Sequence, residues 1–115
     1  MVLNVQMFIK KDVLFNRLEG ELDQGSVEDF RIKVIELIDK YHIKYLVLNF
    51  KKLTFMDSSG IGFIIGRFNT LRQRDGKVIL CDMNEQIERI VYLSGLNKIC
   101  MIKQNEYEVN EYLGV

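Results

Sequence analysis

Charge of one sign is what this 115-residue sequence lacks first: 16 Lys and Arg stand against 16 Asp and Glu, and neither sign gathers into a block longer than a few positions. Such a balance leaves no electrostatic footprint for a nucleic acid or an anionic membrane. Long apolar runs are missing too. The opening MVLNVQMFIKKDV alternates and soon meets Lys10, Lys11 and Asp12, so it has no signal-peptide core, and no stretch approaches a membrane span. Cysteine is scarce. Cys81 and Cys100 lie far apart in apolar segments and read as two buried reduced thiols of a cytosolic protein, not as a redox or metal pair. The single histidine, His42, falls just after a predicted helix with no thiol or serine motif to select it as a base. Carboxylates are numerous but sit in mixed-charge patterns without paired-acid or metal-ligand spacing. The expectation is a cytoplasmic monomer that performs no catalysis of its own and uses neither metal nor cofactor.

What is present suffices for one compact domain over residues 1–115, since 48% of the chain is hydrophobic. Leu3, Val5, Met7 and Ile9 alternate, and after Lys10 to Asp12 a second apolar run holds Val13, Leu14, Phe15 and Leu18, which predicts a hairpin. Beyond GELDQG a helix is predicted to open at Ser26 with Asp29 as capping-box partner, and Val27, Phe30, Val34, Ile38 and Tyr41 on its inner face. KYLVLNF is continuously apolar, as suits a strand covered on both faces. A second helix then runs to about Arg74, KVILCD is a strand, and Asn84 caps a third helix with Ile87, Ile90 and Val91 inward. Gly95 ends that helix, with Leu96 placed for a Schellman-type apolar contact. KICMI is read as a last strand, followed by a helix from about Asn105 in which Glu108 answers the cap and Val109, Tyr112 and Leu113 face inward. Strands alternating with helices after an opening hairpin predict an α/β layer structure with a mixed sheet.

One stretch asks for a function. FMDSSGIGFIIGR, Phe55 to Arg67, joins a buried strand to a helix, so Asp57, Ser58 and Ser59 meet backbone N–H groups that have no partner within the helix. Three uses compete there. The first is capping alone, by one of those three side chains. The second is a nucleotide site, because Gly60 and Gly62 open a helix after a strand and Asp82 closes the next strand; the third glycine of that fingerprint is absent, with Ile65 in its place and Gly66 one residue late. The third is as a phosphate acceptor: a serine at an exposed corner, once phosphorylated, brings roughly two negative charges that the helix end tolerates and Asp57 opposes. That combination predicts little refolding and a large change in what the surface binds. Around the helix, Ile61, Ile64, Ile65, Phe68 and Leu71 share one stripe while Phe63 points nearly opposite, either exposed as part of a binding surface or covered by a second layer. Phe55, Met56 and Phe63 are candidates for a weak self-contact.

FMDSSGIG, with GELD upstream and LSGLNKI downstream, resembles the anti-sigma factor antagonists of the STAS domain family over nearly the whole chain, and most closely those that antagonise the anti-sigma-F factor in sporulation. The resemblance implies a STAS-type fold, a mixed sheet opened by a hairpin and covered by about four helices. It also implies partner switching. In such proteins the unphosphorylated form binds the anti-sigma factor, itself a serine kinase using ATP, and so frees the sigma factor. The kinase phosphorylates the serine after the aspartate, here Ser58, and a PP2C-type phosphatase restores the active form. Carried over by position, Asp57, Ser59, Gly60, Ile61 and Gly62 form the surface around Ser58, and Asp23 in the GELD loop is a charged contact to the kinase. Gly60 and Gly62 are expected to keep the surface beside Ser58 low. A general-stress circuit, or a STAS module that binds nucleotide, are the alternatives.

Overall fold

A computed structural model describes residues 2–115. The opening hairpin forms as predicted: β1 (Leu3–Lys10) and β2 (Val13–Leu22) pair antiparallel, with Lys10 opposite Val13 and Leu3 opposite Gly20. The remaining elements follow as α1 (Val27–Tyr41), β3 (Tyr45–Met56), α2 (Ser58–Arg72), β4 (Lys77–Cys81), α3 (Glu85–Ser94), a 3-10 turn (Leu96–Lys98), β5 (Met101–Lys103) and α4 (Glu106–Leu113). The five strands form one mixed sheet in chain order, β1 antiparallel and β2 to β5 parallel.

Period-two alternation divides the apolar side chains between the two faces of that sheet. Leu14, Leu18 and Leu22 of β2, Leu46, Leu48 and Phe50 of β3, and Val78 and Leu80 of β4 join Phe30, Val34, Ile38, Ile64, Leu71, Ile87 and Val91 from α1, α2 and α3 in the larger core. The intervening Val13, Phe15, Val47, Ile79 and Cys81 meet Val109 of α4 in a smaller one. Strands β2, β3 and β4 are thus covered on both sides, which is why KYLVLNF carries no polar alternation.

Several local expectations are corrected by packing. Ser26 makes no side-chain cap to α1. Its hydroxyl donates instead to the Glu21 carbonyl at 2.7 Å and accepts from the Asp23 amide at 3.1 Å, so the capping box with Asp29 does not form. Tyr41 and Tyr112, assigned to inner faces by periodicity, lie in the last turns of their helices and end up 48% and 44% exposed. Gly95 stops α3 at φ 83°, in the left-handed region where a Cβ is disfavoured, and Leu96 is buried behind it. The Gly95 amide donates to the Tyr92 carbonyl at 3.3 Å, one of the two Schellman bonds, while the Leu96 amide turns to Ser94 Oγ at 3.5 Å in place of the other. KICMI is mostly not strand: the 3-10 turn takes its first residue, and β5 begins only at Met101. Asn84 caps α3 as expected, accepting from Ile87 at 2.9 Å. Asn105 caps α4, accepting from Glu108 at 3.0 Å, while the Glu108 carboxylate reaches back to the Gln104 amide at 3.1 Å.

Helix α2 departs most from the wheel. Phe63 is buried against Phe30 of α1 with ring centroids 4.9 Å apart, and Ile65, on the predicted inner stripe, is 38% exposed. The helix must satisfy the sheet and α1 together, so its covered arc is wide and centred between Gly60, Phe63, Ile64 and Leu71. With Met56 buried as well, the proposed self-contact through Phe55, Met56 and Phe63 reduces to Phe55 alone. Among the described residues, no helix is long and apolar enough to cross a membrane.

Candidate functional site

Leu22 and Met56 are opposite one another at the ends of β2 and β3, two parallel strands, so the loops that follow leave the sheet side by side. Loops at the carboxyl ends of parallel strands are where open α/β sheets place their sites. Asp57 joins the pair. Its amide donates to the Leu22 carbonyl at 3.3 Å, and its backbone is extended, as an N-cap requires.

The Asp57 carboxylate is divided between two elements. Oδ1 accepts from the amides of Ser59 at 2.8 Å and Gly60 at 3.3 Å, and the Asp57 carbonyl accepts from Ile61 at 3.1 Å, which satisfies most of the first turn of α2. Oδ2 crosses to the other loop and accepts from the Gln24 amide at 3.1 Å. A phosphate cradled as in a dinucleotide site needs those same helix amides, and the Asp57 carboxylate already fills the position. Capping and the presentation of a serine remain compatible.

Ser58 is the first residue of α2 and is exposed. Ser59 is half-buried, and Ile61 packs its side chain partly against the larger core. Gly62 is exposed with open space where a Cβ would go. Gly60 corrects the expectation that both glycines lower the surface: it is buried, and a Cβ there would lie 2.7 Å from Met56 Cγ. Gly60 therefore lets α2 sit down on β2 and β3. Asp23 is half-buried, and its Oδ1 holds the Gly25 and Ser26 amides at 3.0 and 3.1 Å. The structure thus brings Asp23, Asp57, Ser58, Ser59 and Gly62 to one edge and withdraws Gly60 from its surface.

Two features escape the sequence reading. Ile65 and Asn69 continue the exposed line begun by Ser58 and Gly62 at steps of four, three and four residues, so α2 offers one outward ridge with an apolar centre. The step pattern was legible; which arc of α2 faced water was not. The bond to Gln24 leaves no signature at all, because every residue except proline has that amide.

His42 lies at the opposite end of β3, where its amide caps α1 by donating to Ile38. Cys81 and Cys100 are buried and unpaired. Burial pushes the Cys100 thiol up to about 12, and burial, with the Asp82 carboxylate accepting from the thiol, pushes Cys81 up as well.

On the α4 side of the sheet lies an open groove of about 620 Å³, bordered by Gln6, Arg17, Lys51, Asp82, Glu106 and Tyr107 among others. Its central polar groups answer one another. Arg17 forms a fork with Glu106, Nε to Oε2 at 3.0 Å and Nη2 to Oε1 at 2.9 Å, and Asn49 Nδ2 donates to Oε2 at 2.6 Å. The hydrogen bond from Arg17, then that from Asn49, holds the Glu106 carboxyl below its ordinary range. This cluster ties α4 to the sheet.

The STAS domain pattern matches residues 4–109. An anti-sigma F factor antagonist from Paenibacillus polymyxa is 40% identical over 106 residues, 92% of this chain and 91% of that one. An anti-sigma-B factor antagonist from Listeria monocytogenes is 30% identical over 114 residues, covering 94% and 96%. Among solved structures, the anti-sigma factor antagonist SpoIIAA in its unphosphorylated form aligns with a TM-score of 0.79 at 26% identity over 97% of this chain and 100% of its own. The phosphorylated form of the Bacillus cell fate determinant SpoIIAA aligns at 0.75 with 30% identity over 95% and 99%.

Proposed function

The chain belongs to the STAS domain family, and from that premise we propose that it is an antagonist of an anti-sigma factor, switched by one phosphate on Ser58. The observation that carries this reading is the exposed hydroxyl of Ser58 directly after Asp57, on an edge whose neighbouring helix amides are already engaged. In the unphosphorylated form this edge binds an anti-sigma factor that is also a serine kinase, displacing the sigma factor. Kinase-bound ATP then donates its γ-phosphoryl group to the Ser58 oxygen, the hydroxyl proton leaving and ADP departing. The product is a dianion beside the Asp57 carboxylate. Because Asp57 holds the amides of Ser59 and Gly60, the new charge stays at the surface and repels the partner. A PP2C-type phosphatase hydrolyses the ester and restores binding.

Asp23, Ser59, Ile61 and Gly62 are assigned to the partner surface, with Gly60 supporting it from below. Residues 1–115 are assigned to one STAS domain, which acts as a cytoplasmic monomer without enzymatic activity or cofactor of its own. Sigma F of sporulation is the favoured beneficiary, supported by the 40% identity to the Paenibacillus antagonist. The 30% identity to the Listeria antagonist, over a similar span, keeps a general-stress circuit as the second reading.

The test is intact mass and site mapping after incubation with ATP and an anti-sigma factor kinase from the same genome. One phosphate, on Ser58 and abolished by Ser58→Ala, is the expected result. Phosphate on Ser59, or none with a kinase that binds the chain, overturns the switch.

A further inference from the structure

The loop that carries Asp23 is exposed yet pinned. Ser26 Oγ accepts the Asp23 amide, Asp23 Oδ1 accepts those of Gly25 and Ser26, and the Asp23 carbonyl accepts that of Val27 at 2.9 Å. Each of those bonds is internal to the loop. The Gln24 amide, alone of the five from Asp23 to Val27 among the described residues, crosses to another element, and its acceptor is Asp57 Oδ2 at 3.1 Å. The same carboxylate caps α2 beside Ser58 through its other oxygen.

We infer that Asp57 is a positioning residue: through its bond to the Gln24 amide it registers the Asp23 loop against Ser58, so that the two are presented to a partner as one rigid surface. This rests on the reading that this edge binds an anti-sigma factor. The physical reason is that one rigid carboxylate, with both oxygens engaged, fixes the separation of two loops that share no other side-chain bond. Hydrogen bonds to a charged acceptor are stronger than those between neutral groups, and surfaces ordered before binding lose less freedom on association. Asp57→Asn separates the two jobs. Its amide oxygen still caps α2, since asparagine is as good an N-cap as aspartate, but the NH₂ group then faces the Gln24 N–H and cannot accept from it.

Two measurements test the inference. In native-state amide exchange of the free protein, Asp57→Asn is expected to speed exchange at Gln24 about tenfold, the scale of one lost charge-assisted bond, while Leu48 and Val78 in the sheet exchange as before. Unchanged exchange at Gln24 overturns the inference. The second is a double-mutant cycle on the Kd for an anti-sigma factor kinase, pairing Asp57→Asn with Gln24→Pro. Proline removes the donor at the second position of the Asp23 to Ser26 turn, which favours it. Each single variant is expected to weaken binding roughly tenfold and the double variant no further. Additive losses show that Asp57 touches the partner directly and overturn the positioning role. If the wild-type chain binds no such kinase, the proposed function fails, and the exchange measurement still decides what Asp57 does to the loop.

Discussion

Gly60 meets Leu22 backbone to backbone: a Cβ on Gly60 would stand 2.9 Å from the Leu22 carbonyl oxygen. That oxygen also accepts the Asp57 amide, so it cannot retreat without loosening the start of α2. Gly60→Ala is therefore expected to destabilise the fold by about 1–3 kcal/mol despite alanine's helix preference, seen as a lower urea midpoint. Gly62→Asp meets open space and should change stability by no more than about 1 kcal/mol, while weakening binding to an anti-sigma factor. Normal binding by folded Gly62→Asp removes that residue from the partner surface.

Ser58→Asp places a carboxylate next to Asp57 on an exposed corner, and Ser58→Ala places none. The first is expected to lose most of its partner affinity and the second to stay permanently competent, with melting temperatures close to wild type because Ser58 makes no side-chain bond that packing depends on. Sigma-factor release in a reconstituted transcription assay distinguishes them; full release by Ser58→Asp refutes charge as the switch.

The fork between Arg17 and Glu106 predicts an acid-sensitive tie between α4 and the sheet. Glu106 has a folded value below its ordinary 4.5, chiefly through Arg17. A depressed carboxyl contributes stability that is complete above 4.5 and disappears as pH falls through the lower folded value. Glu106→Gln should cost about 1 kcal/mol near neutrality, discounted because Arg17 is half in solvent, and should flatten the loss of stability below pH 4.5 in urea titrations. Parallel curves for the two proteins contradict this.

Both thiols should resist modification in the native state. With Cys100 pushed up to about 12 and Cys81 raised by burial as well, almost no thiolate exists at pH 8. Ellman's reagent is expected to titrate neither cysteine until denaturant is added, then both. Prompt labelling of either one shows local opening of the core that holds it.

Much of this was written in the chain. The hairpin, the next two strands, the caps at Asn84 and Asn105 and the stop at Gly95 came from period and local hydrogen-bond chemistry, which depend on residues a few positions apart. FMDSSGIG likewise marked the edge where Asp57 caps α2 and Ser58 is exposed. What tertiary structure decided was every question with two elements in it. Whether Phe63 met water or Phe30 depended on α1 lying alongside α2. Whether Gly60 was surface or seam depended on how near α2 approached Leu22. Whether Ser26 or another group closed the turn before α1 depended on Glu21 offering its carbonyl. And the bond from Gln24 to Asp57 spans 33 residues through an amide that no side chain announces, because backbone groups carry the geometry of a fold without leaving any trace in its sequence.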